Sequence, residues 1–239
     1  MSVTGVVAAL EFEARCLREL SDGSLIGISG IGADSAARAA RALIASGAGA
    51  LLSWGVAGAL DPGLACGAAV LPSEVLRPAA ELAGTSLQRF ETCRAWRERL
   101  LGALQGHVRV TNGALLSSAA PVATAARKAS LFHQTRAVAV DMESAAVAAV
   151  AADHGLPFIA LRVILDTARD SLPESIMRAF DPASASRARW WRAWALVSSP
   201  QDWGALLRLA AQYRCARRGL RDCCRRAHPT RGIDASGGR

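Results

Sequence analysis

Short apolar runs alternate with stretches whose apolar positions recur every three or four residues, and this order persists over the first 166 residues. A continuous apolar run bounded by glycine or charge reads as a strand buried on both faces, and 3.6-residue spacing reads as a helix laid against it. Strands are therefore predicted at 3–10, 25–29, 50–54, 68–74, 108–116, 137–140 and 157–165. Helices are predicted at 13–20, 35–46, 121–131 and 143–154. Asp34 is placed to cap the helix at 35–46, and Gly155 stops the one at 143–154. This alternation predicts a single α/β domain over residues 1–186, with a mostly parallel central sheet flanked by helices.

Ligands in such folds bind where strands end at their carboxyl termini. Four places qualify: Glu11 and Glu13 after the first strand, a glycine turn at 55–58, Asp141 to Glu143, and Asp166. Three of them carry carboxylates, the groups that protonate a leaving group, hold sugar hydroxyls or orient an attacking oxygen.

Beyond residue 186 the pattern changes. Residues 187–198 (RARWWRAWALVS) place Trp190, Trp191, Trp194 and Val197 on one helical face, with Arg189 and Arg192 opposite. That segment reads either as the last core helix or as an amphipathic helix for a bilayer surface. After Pro200, residues 203–226 carry Leu206, Ala210, Tyr213, Ala216 and Leu220 at helical spacing, with Arg214, Arg218, Arg221 and Arg225 on another face. This helix is expected at the surface or against a partner. Residues 187–239 are thus read as a basic C-terminal extension with a disordered end.

Charge sharpens that division. Residues 1–186 carry 16 Lys/Arg against 17 Asp/Glu, whereas residues 187–239 carry 12 against 3, so the net charge of +8 belongs to the tail. An anionic partner for the tail follows, such as a lipid surface. Nucleic acid is a weaker candidate, since charge alone suggests it; deleting 187–239 is expected to leave an enzyme active on a soluble nucleoside. The uncharged stretch 42–60 is long enough to span a bilayer, but four glycines break it into a helix end and a strand. No secretory leader is read at the start, so the expected location is cytoplasmic, peripheral on the inner membrane.

Other chemistries find little support. The six cysteines match neither a zinc pattern nor a disulfide framework, although Cys223 and Cys224 sit in a basic segment that favours thiolate. The histidines are scattered, and Gly30-Ile31-Gly32 lacks the third glycine of a dinucleotide fingerprint.

Together the segments resemble the purine nucleoside phosphorylase and methylthioadenosine/S-adenosylhomocysteine nucleosidase superfamily. The resemblance rests on Ala9-Leu10-Glu11-Phe12-Glu13, Ser29-Gly30-Ile31-Gly32, Trp54-Gly55-Val56-Ala57-Gly58, Val140-Asp141-Met142-Glu143-Ser144 and Arg162-Val163-Ile164-Leu165-Asp166. It implies that Asp166 serves N7 of a purine and that Glu13 positions water. It further implies that Glu143 binds ribose hydroxyls, that Met142 packs on the sugar, and that Val56, Ala57 and Gly58 line the pocket, with Asp141 beside them. It implies no metal or organic cofactor, with inorganic phosphate as the co-substrate if the reaction is phosphorolysis; Arg15 and Gly30 are then the candidate phosphate ligands. A homo-oligomer is also implied. Departures are Leu165 where the family has a serine bonded to the acid, and Ser53 where phosphorylases have an arginine. The VDMES and LRVILDTARDSLPES segments and the tail around DWGALLRLA resemble the hopanoid-associated phosphorylases. That branch implies adenine release from adenosylhopane, with a soluble methylthioadenosine/S-adenosylhomocysteine nucleosidase as the alternative.

Overall fold

The computed structural model describes residues 2–20, 23–78, 86–171 and 203–231. The Trp-rich segment at 187–198 lies outside them. Ten strands form one sheet among the described residues: β1 (Thr4–Ala8), β2 (Leu25–Ile28), β3 (Ala50–Ala59), β4 (Ala69–Val70), β5 (Glu74–Pro78), β6 (Leu87–Glu91), β7 (Val110–Thr111), β8 (Ala114–Ser117), β9 (Ala137–Asp141) and β10 (Phe158–Asp166). Among the described residues six helices accompany them: α1 (Glu11–Arg18), α2 (Ala33–Ala45), α3 (Arg94–Leu104), α4 (Ala125–Thr135), α5 (Ser144–Asp153) and α6 (Trp203–Ala227). Parallel pairings dominate, as the alternation requires, while β6, β9 and β4 add antiparallel contacts to β5, β3 and β10.

Two long central strands organise the sheet. β10 runs beside β3 from Phe158 opposite Leu51 to Asp166 opposite Gly58, filling one edge of β3. The other edge is shared. β1 pairs with Ala50 to Trp54, and β9 pairs with Gly58 and Ala59. Between those partners, Gly55 to Ala57 have no strand on that side, and a cleft opens at the end of β1. The expected turn at 55–58 is therefore not a turn. The strand passes straight through its glycines because β10 supports the opposite edge; reading glycine as a breaker ended β3 too soon.

Both faces are covered. α2 and α5 bury Ala36, Ala40, Val147 and Ala151 on one side. α5 is buried almost all round, which its alanines permit, since small side chains let helix and sheet approach closely. On the other side α1, α3 and α6 enclose Leu17, Trp54, Trp96 and Leu100. α6 corrects the expectation of a surface or partner helix. Ala216, Leu220, Cys223, Cys224 and Ala227 recur along one face and are fully buried against β10, α1 and α3. Gly219 makes that fit, since a Cβ there would stand 2.7 Å from both Gly67 O and Val163 Cγ1. Arg218, Arg225 and Arg226 are exposed on the outer side of α6 and Arg221 is half-buried, while Arg214 reaches the cleft, so the amphipathic pattern is right and only its partner differs.

Smaller differences have local causes. The stretches at 68–74 and 108–116 each split into two short strands around Pro72 and around Asn112-Gly113. The helix at 121–131 starts later, at Ala125, after the Thr124 side chain caps Arg127 N–H. Asp34 lies inside α2 rather than capping it. Burial, not reactivity, describes Cys223, whose thiol is pushed up to about 12 by desolvation. No described helix is long and apolar enough to cross a membrane.

Candidate active site

The cleft beside β3 is a cavity of about 590 Å³ whose walls include Glu13, Val56, Ala57, Gly58, Asp141, Met142, Glu143 and Asp166. Three acids from distant parts of the chain thus share one chamber. Each is positioned by its own local structure.

Glu13 sits in the first turn of α1. Its Oε2 accepts the Leu10 N–H at 2.8 Å, turning the side chain back over the helix start. Its Oε1 accepts the Val56 N–H at 3.0 Å, which is available because β3 lacks a partner there. Gly55 makes room, since a Cβ would lie 2.5 Å from Oε1. Trp54 Nε1 donates to Glu13 O at 2.7 Å and pins the turn from below. Burial raises the Glu13 pKa, opposed by the Arg162 charge and the backbone N–H groups.

Glu143 follows β9 at the entrance to α5. Oε1 accepts the Gly32 N–H at 2.8 Å and Oε2 the Met142 N–H at 3.2 Å. Desolvation, then repulsion by Asp141, push its pKa up to about 7 against the pull of Arg162. The α5 N-terminus itself is served by Asp141, whose Oδ2 accepts the Ser144 N–H at 3.1 Å. Asp141 also accepts from Ser117 Oγ at 2.5 Å and from Arg162 Nε at 2.9 Å. Both its oxygens accept hydrogen bonds, which ties Arg162 and the start of α5 to the end of β9, and the residue also lines the chamber.

Asp166 ends β10, where a register shift between Ile164 and Asp166 re-aims the side chain over Gly58. A Cβ on Gly58 would lie 3.3 Å from either carboxylate oxygen, so glycine lets the acid overhang β3. Asp166 is ion-paired with Lys128, a fully buried residue of α4. Burial raises its pKa, opposed by Lys128 and reinforced by Asp170.

Other predicted residues divide clearly. Met142 and residues 56–58 line the chamber. Arg15 is exposed on α1, and neither it nor Gly30 is among the lining residues. Sequence reading missed Lys128 and assigned no role in the site to Arg162, Phe12 or Tyr213. Arg162 Nη2 reaches Ser53 Oγ at 2.7 Å and Ser144 Oγ at 3.0 Å beneath the site. An arginine inside an otherwise apolar strand was the available signal for it. Phe12 and Tyr213 meet edge to face at 4.8 Å between ring centres, and with Leu10, Ile31, Val122, Leu165 and Ala210 they make most of the remaining wall apolar, with Arg214 beside them.

Comparison with known proteins agrees with this architecture. The model of the phosphorylase superfamily matches residues 22–189. No curated protein matches the chain. Among solved structures, 5'-methylthioadenosine/S-adenosylhomocysteine nucleosidase from Neisseria meningitidis, in complex with methylthio-immucillin-A, is similar with a TM-score of 0.73 and 19% identity. The similarity covers 96% of this chain and 99% of that one. The Helicobacter pylori enzyme of the same name gives 0.70 and 18%, over 94% and 95% of the two chains. Futalosine hydrolase of Helicobacter pylori gives 0.68 and 19%, over 94% and 97%.

Proposed function

The chain belongs to the phosphorylase superfamily, and on that premise we propose that it cleaves the N-glycosidic bond of an adenine nucleoside whose 5' substituent is apolar. The observation that carries this reading is the shared chamber of Glu13, Glu143 and Asp166. Asp166 donates its proton to N7 of the base, the C1'–N9 bond breaks, and its electron pair leaves with adenine. Burial raises the proton affinity of that acid, which is the direction a proton donor needs. Glu143 as carboxylate accepts the ribose hydroxyls and steadies the cationic sugar. Glu13 takes a proton from water as its oxygen attacks C1', with Arg162 compensating both glutamates from below. Hydrolysis is favoured over phosphorolysis because Arg15 stands away from the chamber wall and Arg214 is the only basic residue among its described lining.

The apolar remainder of the wall supports a hydrophobic 5' arm, and adenosylhopane is the substrate we favour. The basic tail supports the same choice. A net +9 over residues 187–239 attracts the protein to an anionic membrane surface, where such a lipid resides. Methylthioadenosine is the second reading, supported by the fold shared with the methylthioadenosine nucleosidases. Incubation with each compound, with and without phosphate, tests the proposal by free adenine and by the mass of the ribosyl product. We expect adenine from adenosylhopane without phosphate. Rapid release from methylthioadenosine alone transfers the assignment to the second reading, and a phosphoribosyl product overturns hydrolysis.

A further inference from the structure

Lys128 is an unusual residue in its place. It lies in the first turn of α4, where the helix dipole disfavours a cation, and it is fully buried, which lysine rarely is. Burying an ammonium costs several kcal/mol unless all its hydrogen bonds are made. Here they are. Nζ donates to Asp166 Oδ2, to Thr167 O at 2.7 Å and to Asp170 O at 3.0 Å. The two carbonyls belong to a tight loop closed by Asp170, whose Oδ2 accepts from Thr167 N at 2.8 Å and from Gln212 Nε2 at 2.8 Å. Three protons meet three acceptors, so Nζ has none left for a ligand.

We propose that Lys128 is the positioning residue of Asp166: it holds Oδ2, turns Oδ1 toward the base, and sets the pH range over which this acid carries its proton. The inference rests on Asp166 acting as the acid that protonates the departing purine. The geometry supports a role beyond tying down the loop, because the loop carbonyls could be satisfied by any donor, whereas the third bond goes to a carboxylate on the chamber wall. Among the charges around Asp166, Lys128 is the largest opposing the effect of burial. The other titratable groups facing Asp166 are Asp170 in the loop after β10 and Cys66 in the loop between β3 and β4. Glu13, Glu143 and Arg214 line the same chamber. Leu165 precedes the acid and has no polar side-chain atom to offer it, so the side-chain partner comes from α4.

The test is the pH profile of kcat/KM for the full chain and for K128Q and K128R, on an adenine nucleoside and on p-nitrophenyl riboside. The nitrophenolate leaving group departs without protonation. Asp166 works protonated, so activity on the adenine nucleoside falls as pH rises through its pKa. Removing the lysine charge favours the protonated form, and in K128Q this alkaline limb moves upward by about one pH unit. Lost orientation lowers kcat on the adenine nucleoside by about 100-fold. Turnover of the nitrophenyl riboside stays within about threefold of the parent. K128R keeps the charge and leaves the limb in place. Equal loss on both substrates with an unmoved limb overturns the proposal and leaves Lys128 a loop clamp. Should K128Q fail to fold, the Nζ resonance of the parent protein gives a second reading. It must step at the midpoint of the alkaline limb and lose that step in D166N; a resonance without the step overturns the proposal. A parent protein that releases adenine from no nucleoside removes the underlying reading and this inference together, whereas an active parent with an unmoved limb removes only the role of Lys128.

Discussion

Glu143 is the side chain whose charge state the site most depends on. Its pKa of about 7 means that the carboxylate needed for two ribose hydroxyls forms only as the pH approaches neutrality. kcat/KM should therefore fall as pH drops below about 7, and the neutral E143Q should lose the part of that acidic limb that Glu143 sets, leaving the part set by Glu13, along with most of its activity. The same shift bears on stability. The native carboxyl binds its proton more tightly than the unfolded one, whose pKa is near 4.5, so stability falls as pH rises from about 4.5 to 7 and the loss is complete above that. E143Q removes this slope. It should gain on the parent between pH 5 and pH 8 by on the order of 3 kcal/mol, read from urea unfolding at both values. An unchanged difference between the two proteins at both pH values contradicts the assignment.

At the scale of elements, the informative feature is the unpaired middle of β3. Gly55 sits where β1 has ended and β9 has not begun, and Glu13 fills the space a side chain would take. G55A should displace the carboxylate from Val56 N–H and lower kcat by about 100-fold with little change in stability, as a small misplacement of a catalytic group does. Steady-state kinetics beside thermal unfolding checks this. The sequence displayed most of this level. Continuous apolar runs located β1, β3, β9 and β10, and the carboxylates at their ends marked Glu13, Glu143 and Asp166. It concealed β6 and α3, because Leu87–Glu91 is polar on both sides and Arg94–Leu104 carries four arginine or glutamate residues among its apolar positions. It also concealed Lys128, because a buried cation is explained only by acceptors that tertiary folding brings to it, and these lie 38 to 42 residues away.

For the molecule as a whole, α6 unites two regions that composition had separated. Its charge marks it as a tail, yet its small and apolar face closes the core, and its Ala210, Tyr213 and Arg214 form one wall of the chamber. Periodicity shows that a helix has an apolar face but not what covers it, which is why this placement was not legible. The consequence reverses an expectation drawn from charge. Removing residues 203–239 should not leave an enzyme active on soluble nucleosides; it should expose Trp54, Trp96 and Leu100 and yield an insoluble or unfolded chain with no turnover. Circular dichroism and a nucleosidase assay on the truncated chain measure this.

The most direct test of convergence is a crystal structure of the protein with a non-hydrolysable adenosine analogue bound. The account predicts the base against Asp166 with N7 at hydrogen-bond distance, both ribose hydroxyls on Glu143, and a water held by Glu13 below C1'. An analogue seated away from β3, or one touching fewer than all three acids, would contradict it.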